Sequence, residues 1–226
     1  MDEERLTRQQ ASDAATPLGW RYILGVLRTA VRADSFADAL GVARDAAVAT
    51  GAEADGHLRL DVRPDGVDLT LQSVAVAAVT DRDVQLARRI TAAVRARGAG
   101  TEPMLDRSVQ LIEIAIDAMD IPAVRPFWKA VLDYADEPGR SGPTDPLVDP
   151  RWQGPAVWFQ QMDSPRPQRN RIHLDVSVPH DEVARRMQAA LEHGGVMVSD
   201  TAAPAFWVLA DAEGNEACLT TWQGRD

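Results

Sequence analysis

Four stretches in the second half of the chain alternate apolar and polar side chains with period two, so each buries one face as a strand and leaves the other free. In LIEIAID the apolar set is Ile112, Ile114 and Ile116, with Glu113 on the opposite face. In RIHLDVSV it is Ile172, Leu174, Val176 and Val178, opposite His173 and Asp175. In VWFQQ, Trp158 and Gln160 share a face, and NEACLTTW opens with Glu216 on the face of Cys218, Thr220 and Trp222. Strands that bury one face and gather Glu, His and Glu on the other predict a cupped sheet able to hold a divalent metal.

A length of 226 residues suits two domains. The break falls in RARGAGTEPMLDRS, where Gly98, Gly100 and Pro103 separate a helical pattern from a strand. We therefore expect a first domain over 1–98, a linker over 99–108 and a second domain over 109–226.

The first domain opens with a short helix near 6–15, followed by a strand or hairpin in WRYILGVLRTAV. Ser35 caps a helix that Gly51 stops. HLRLDV and VDLTLQSV form a hairpin around Pro64-Asp65-Gly66, and Thr80 with Asp83 makes a capping-box variant that starts a helix running to about Arg97. The order predicts an α+β domain: a four-stranded antiparallel sheet with helices on one face. The second domain reads as strand 109–117, helix 122–134 with Pro126 at or near its start, and a Pro/Gly-rich loop 137–155 hiding one weak strand. Strand 156–162, strand 171–178, helix 181–193 and strands near 196–199, 205–210 and 216–222 follow. That is a β-α-β-β-β order given twice.

Charge is unevenly spread. Residues 1–100 carry 13 basic and 14 acidic side chains and residues 101–226 carry 11 and 20, so about −9 of the net −10 lies in the second part. Such a surface repels phosphate backbones and argues against a nucleic-acid partner. No apolar run reaches the roughly 20 residues of a membrane span, so no membrane partner is expected. The single cysteine, Cys218, excludes an internal disulfide and fits a reducing cytoplasm, and its place in a strand suggests packing rather than catalysis. Arginine supplies nearly all the basic charge, with Lys129 the only lysine, a bias like that of GC-rich bacterial genomes.

EIAIDAMDIPAVRPFWKAVLDY, VWFQQMDSPRPQRNRIHLDV and FWVLADAEGNEACL together resemble the vicinal oxygen chelate superfamily, the glyoxalase/bleomycin-resistance group, over 109–223. The resemblance implies paired βαβββ modules around an open cavity, with metal ligands at Glu113, Gln160, His173 and Glu216. Glu113 stands where many members have His. Two carboxylates, an imidazole and an amide suit a hard or borderline divalent ion. Glu216 or Glu113 would then serve as the catalytic proton carrier. Trp158, Phe206, Trp207 and Trp222 are candidates for an aromatic substrate pocket, and Arg171, with Arg166 and Arg169, for attraction of an anionic substrate.

The first domain resembles pterin-4a-carbinolamine dehydratases over 5–97, through Gly19-Trp20, SFADAL, HLRLDVRPDGVDLTL and TDRDVQLARRI. The resemblance implies an active site with a His-His-Pro run and a third His. Here the run reads Gly56-His57-Leu58 and the third position is Val74, leaving His57 as the single catalytic candidate of a degenerate domain. The leading expectation is a metal-dependent glyoxalase-like lyase or isomerase acting on a small oxygenated molecule. A metal-free sequestration protein and a working dehydratase are the alternatives. Both resemblances imply a homodimer.

Overall fold

The computed structural model describes residues 4–103, 110–165 and 172–224. The chain divides into two compact units, Met1–Leu111 and Ile112–Asp226. Among the described residues no helix is long and apolar enough to cross a membrane.

The first unit is built on four antiparallel strands in the order β1-β2-β4-β3: β1 Arg21–Ile23, β2 Val26–Arg32, β3 Leu58–Arg63 and β4 Gly66–Leu71. Register puts Leu27 opposite Leu71, Thr29 opposite Leu69 and Val31 opposite Val67. One face is therefore apolar, and three helices cover it: α1 Arg8–Ala15, α2 Phe36–Thr50 and α3 Asp81–Ala96. Trp20 is fully buried in this core and donates its indole N–H to Thr91 Oγ1 at 3.0 Å. Burying a side chain of that size stabilises the unit by about 2–3 kcal/mol, and the hydrogen bond removes the cost of hiding its one polar atom. The predicted caps form, with Ser35 Oγ accepting from Asp38 N and Asp83 closing the first turn of α3.

The second unit contains the predicted duplication. Its first module is β5 Glu113–Ala118, α4 Ile121–Leu132, β6 Ala135–Asp136, β7 Leu147–Val148 and β8 Ala156–Gln161. The second is β9 Leu174–Ser177, α5 Val183–Glu192, β10 Val196–Ser199, β11 Phe206–Ala210 and β12 Glu216–Thr220. The sheet orders, β5-β8-β7-β6 and β9-β12-β11-β10, place first, fourth, third and second strands side by side in both modules. In each, the first and fourth strands pair in parallel and the other neighbours are antiparallel.

Even-numbered residues of β5 and β9 (Ile114, Ile116, Leu174, Val176) face a shared core with Phe127, Trp128 and Val183 from the helices. The strands are shorter than alternation suggests. Ile112 and Ile172 lie outside them and are exposed, and among the described residues neither has a strand partner to give it an inner face. Helix α4 begins one residue earlier than expected, at Ile121. Asp120 caps it, Pro122 occupies its first turn and Pro126 lies inside it.

The hidden strand of the first module is two residues long, too short to show a period. The loop after it is organised by Asp149, whose carboxylate accepts from the amides of Arg151, Gln153 and Gly154. Burial pushes that carboxyl up, but the three amide donors outweigh it and hold it below the usual range.

Candidate functional site

A cavity of about 790 Å³ opens in the second unit, walled by β5, by residues 172–174 and by the 213–216 turn. Glu113, Asp117, His173, Glu213 and Glu216 all line it, while Ile114, Trp128 and Met162 supply apolar wall. Among the described residues that line it there is no Lys or Arg. Four carboxylates around one imidazole make a strongly electronegative hollow, suited to a cation rather than to an anionic ligand.

The predicted ligands separate on inspection. Glu113, the first residue of β5, is exposed; Glu216, the first of β12, is half-buried; both line the same cavity as His173. Glu216 and His173 directly precede Ala217 and Leu174, which pair across β12 and β9. Gln160 is exposed on β8, opposite Asp117, and turns its amide N–H to the Gln161 carbonyl at 3.3 Å. It does not line the cavity.

Cys218, a packing residue by its place in the strand pattern, has neighbours that offer more. Its Sγ lies 3.5 Å from His173 Nδ1, which is 3.8 Å from Asp175 Oδ1. Among the described residues these three form the one group of His, Cys, Asp or Glu side chains whose donor atoms all approach within 4.8 Å of one another. Asp175 and Cys218 are direct partners in the β9–β12 register. Alternation had put Asp175 beside His173, but only the strand pairing brings Cys218 to them.

The aromatic candidates disperse. Trp207 packs with the helix-facing core, Phe206 lies one residue off on the opposite face of β11, and Trp158 shares a β8 face with Gln160. Trp222 lies past the end of β12, 63% exposed, with its ring against His180 and its indole N–H 3.3 Å from His180 Nδ1. None of the four lines the cavity; the aromatic wall comes from Trp128 on α4. Arg171, like Arg166 and Arg169, lies outside the described residues.

The turn DAEGN is built around Asp211, 2% exposed. One carboxylate oxygen accepts from the Glu213 and Asn215 amides and the other from Trp128 Nε1 and Asn215 Nδ2, all at 2.8–2.9 Å. Glu213 then reaches the first module and accepts from the amides of Met119 and Asp120 at 2.8 and 2.7 Å. The motif thus joins the modules beside the cavity, with Glu216 immediately after it.

In the first unit, His57 is 5% exposed and its Nδ1 lies 2.8 Å from Asp83 Oδ1. The other oxygen of Asp83 accepts from Thr80 N and Oγ1 at 2.7 and 2.9 Å. The Val74 amide donates to the Gly56 carbonyl, so both positions adjoin His57, but neither carries an acid–base side chain.

These features define a two-unit α+β protein, an antiparallel sheet under helices followed by paired βαβββ modules around an acidic cavity. Residues 4–93 match the family described as pterin 4 alpha carbinolamine dehydratase, and residues 113–220 match the glyoxalase-like domain. A provisionally named pterin-4-alpha-carbinolamine dehydratase of Mycolicibacterium vanbaalenii is 40% identical over 88 residues, 38% of this chain and 91% of that protein. The chain therefore belongs, through its first unit, to the pterin-4a-carbinolamine dehydratase family, and its second unit matches the glyoxalase-like domain over 113–220.

Among solved structures, a transcriptional coactivator/pterin dehydratase from Brucella melitensis is 26% identical with a TM-score of 0.37, covering 40% of this chain and 98% of that one. A glyoxalase/bleomycin resistance protein/dioxygenase family enzyme from Burkholderia phytofirmans PsJN is 16% identical with a TM-score of 0.41, covering 50% and 98%.

Proposed function

We propose that the second unit is a metal-dependent enzyme of the glyoxalase type, a lyase or isomerase acting on a small oxygenated molecule in the 790 Å³ cavity. The observation that carries this reading is the convergence of Glu113, His173 and Glu216 on one hollow lined by carboxylates without a described cation among them. His173 is the anchor for the ion, with carboxylate or thiol donors beside it. A divalent ion bound there would polarise paired substrate oxygens as a Lewis acid. The chain's own groups do the rest. Ile114, Trp128 and Met162 exclude water from one side of the ligand. Glu216, fixed at the start of a paired strand, takes a proton from carbon or oxygen and gives the same proton back to the product, and Glu113, which lines the same cavity, is the second carboxylate able to carry it.

The test is deuterium exchange into a panel of small α-hydroxycarbonyl compounds in D2O, with and without added divalent metal. Exchange that needs metal and is lost in Glu216→Gln supports the reading. Ligand binding without metal, exchange or turnover overturns it in favour of sequestration.

For the first unit we infer a structural or binding role. His57 Nδ1 is committed to Asp83, and Gly56, Leu58 and Val74 offer no second acid–base group beside it. Equal rates for wild type and His57→Ala in a pterin carbinolamine dehydration assay are expected; a rate well above background that the substitution abolishes would overturn this.

A further inference from the structure

We infer that the ion of the second unit is held by Cys218, His173 and Asp175, a sulfur–nitrogen–oxygen set that selects a zinc-class ion and leaves Glu113 and Glu216 to move protons. The inference deepens the reading above, and rests on it for the presence of an ion at His173.

Its basis is register. Strands β9 and β12 run parallel with Asp175 directly beside Cys218, and His173 precedes Asp175 by two residues, so all three side chains leave the same face. Asp175 and Cys218, placed by paired strands, are held more firmly than donors on loops. In a tetrahedral zinc site, metal–sulfur and metal–nitrogen bonds of about 2.3 and 2.0–2.1 Å put the two donor atoms about 3.5–3.6 Å apart. Cys218 Sγ and His173 Nδ1 are 3.5 Å apart. The nitrogen–oxygen edge of such a tetrahedron is about 3.3–3.4 Å, and His173 Nδ1 to Asp175 Oδ1 is 3.8 Å. A small rotation of the Asp175 side chain, 62% exposed, closes that difference.

Burial also has the pattern of a reactive site. Cys218 is 4% exposed and forms the closed side, whereas the His173 side chain is 52% exposed and lines the cavity. Of the three donors only His173 lines the cavity, so an ion held by them would meet a cavity-bound ligand on the His173 side; three protein ligands with one open position is the arrangement of catalytic rather than structural zinc. A sulfur donor disfavours magnesium and manganese, which take oxygen ligands.

The experiment is cobalt(II) and zinc loading of the tag-free full chain, read by total metal content and by the near-ultraviolet band of a sulfur–cobalt bond. About one metal per chain, with that band present, is expected. Cys218→Ser should abolish the band and weaken zinc binding by at least the roughly tenfold that loss of an outer-shell partner costs, His173→Ala should remove the metal, and Glu216→Gln should keep both. Cys218→Ala, with unfolding midpoints for each variant, separates ligand loss from misfolding. Metal retained in Cys218→Ser without a sulfur band, but lost in Glu113→Gln or Glu216→Gln, would overturn the sulfur site while leaving the metal-enzyme reading standing. No metal uptake by folded wild type would overturn both, leaving Cys218 and His173 as a hydrogen-bonded pair only.

Discussion

His57 and Asp83 form a buried pair, Nδ1 to Oδ1 at 2.8 Å, in which the carboxylate that receives the imidazole also closes the first turn of α3. The histidine is thereby tied through Nδ1 to the start of the helix. His57→Ala leaves one oxygen of Asp83 without this partner inside the core and should cost about 2 kcal/mol. Urea unfolding of the full chain checks it; a midpoint unchanged within error would mean the pair contributes nothing to stability.

Asp211 should be the most sensitive polar position of the second unit. Its four hydrogen bonds hold the 211–215 turn and the Trp128 indole, and Asp211→Ala removes the acceptor of all four, including that of the buried Trp128 N–H. A loss on the order of 3 kcal/mol is expected. Thermal unfolding, with tryptophan fluorescence reporting on Trp128, provides the measurement.

Glu216→Gln and Glu113→Gln should separate chemistry from folding. Both residues begin strands and line the cavity without being fully buried, so the unfolding midpoint should move little. For the substitution at the proton-carrying position, kcat should fall by about 10²–10⁴-fold with little change in ligand affinity. Equal loss of affinity and rate would mark the carboxylate as a binding group instead.

Acid should weaken the first module through Asp136. The Lys129 ammonium, and next the Arg125 guanidinium, hold its carboxyl below the usual aspartate range. A carboxyl lowered by folding contributes stability that is complete above the ordinary aspartate pKa of about 3.9 and is lost as pH falls below it. Asp136→Asn should therefore cost stability at pH 7 and flatten the acid limb of the curve. Chemical unfolding at neutral pH and below pH ~4 tests both signs. Because Lys129 and Asp136 are partly exposed, added salt should shrink the difference.

Period two was enough to read which residues of a strand share a face, and element order was enough to read the duplicated module. Neither says which strands become neighbours. Cys218 looked like packing because its partners lie on β9, some 40 residues earlier, and only the parallel β9–β12 register brings them together. Trp222 continued the alternation of β12 on paper, but pairing stops at Thr220 and the ring turns to His180. The two-residue strands β6 and β7 carry no period at all. DAEGN was recognisable as a motif, yet the task of Glu213 becomes visible only when the amides of Met119 and Asp120 are seen opposite it.

The reach of Glu213 from one module to the other also bears on speed. Met119, Glu213 and Glu216 all border the cavity, so the two short hydrogen bonds that join the modules are built into its wall. A guest that has to widen the hollow there would stretch both bonds on entering and again on leaving, slowing the two alike.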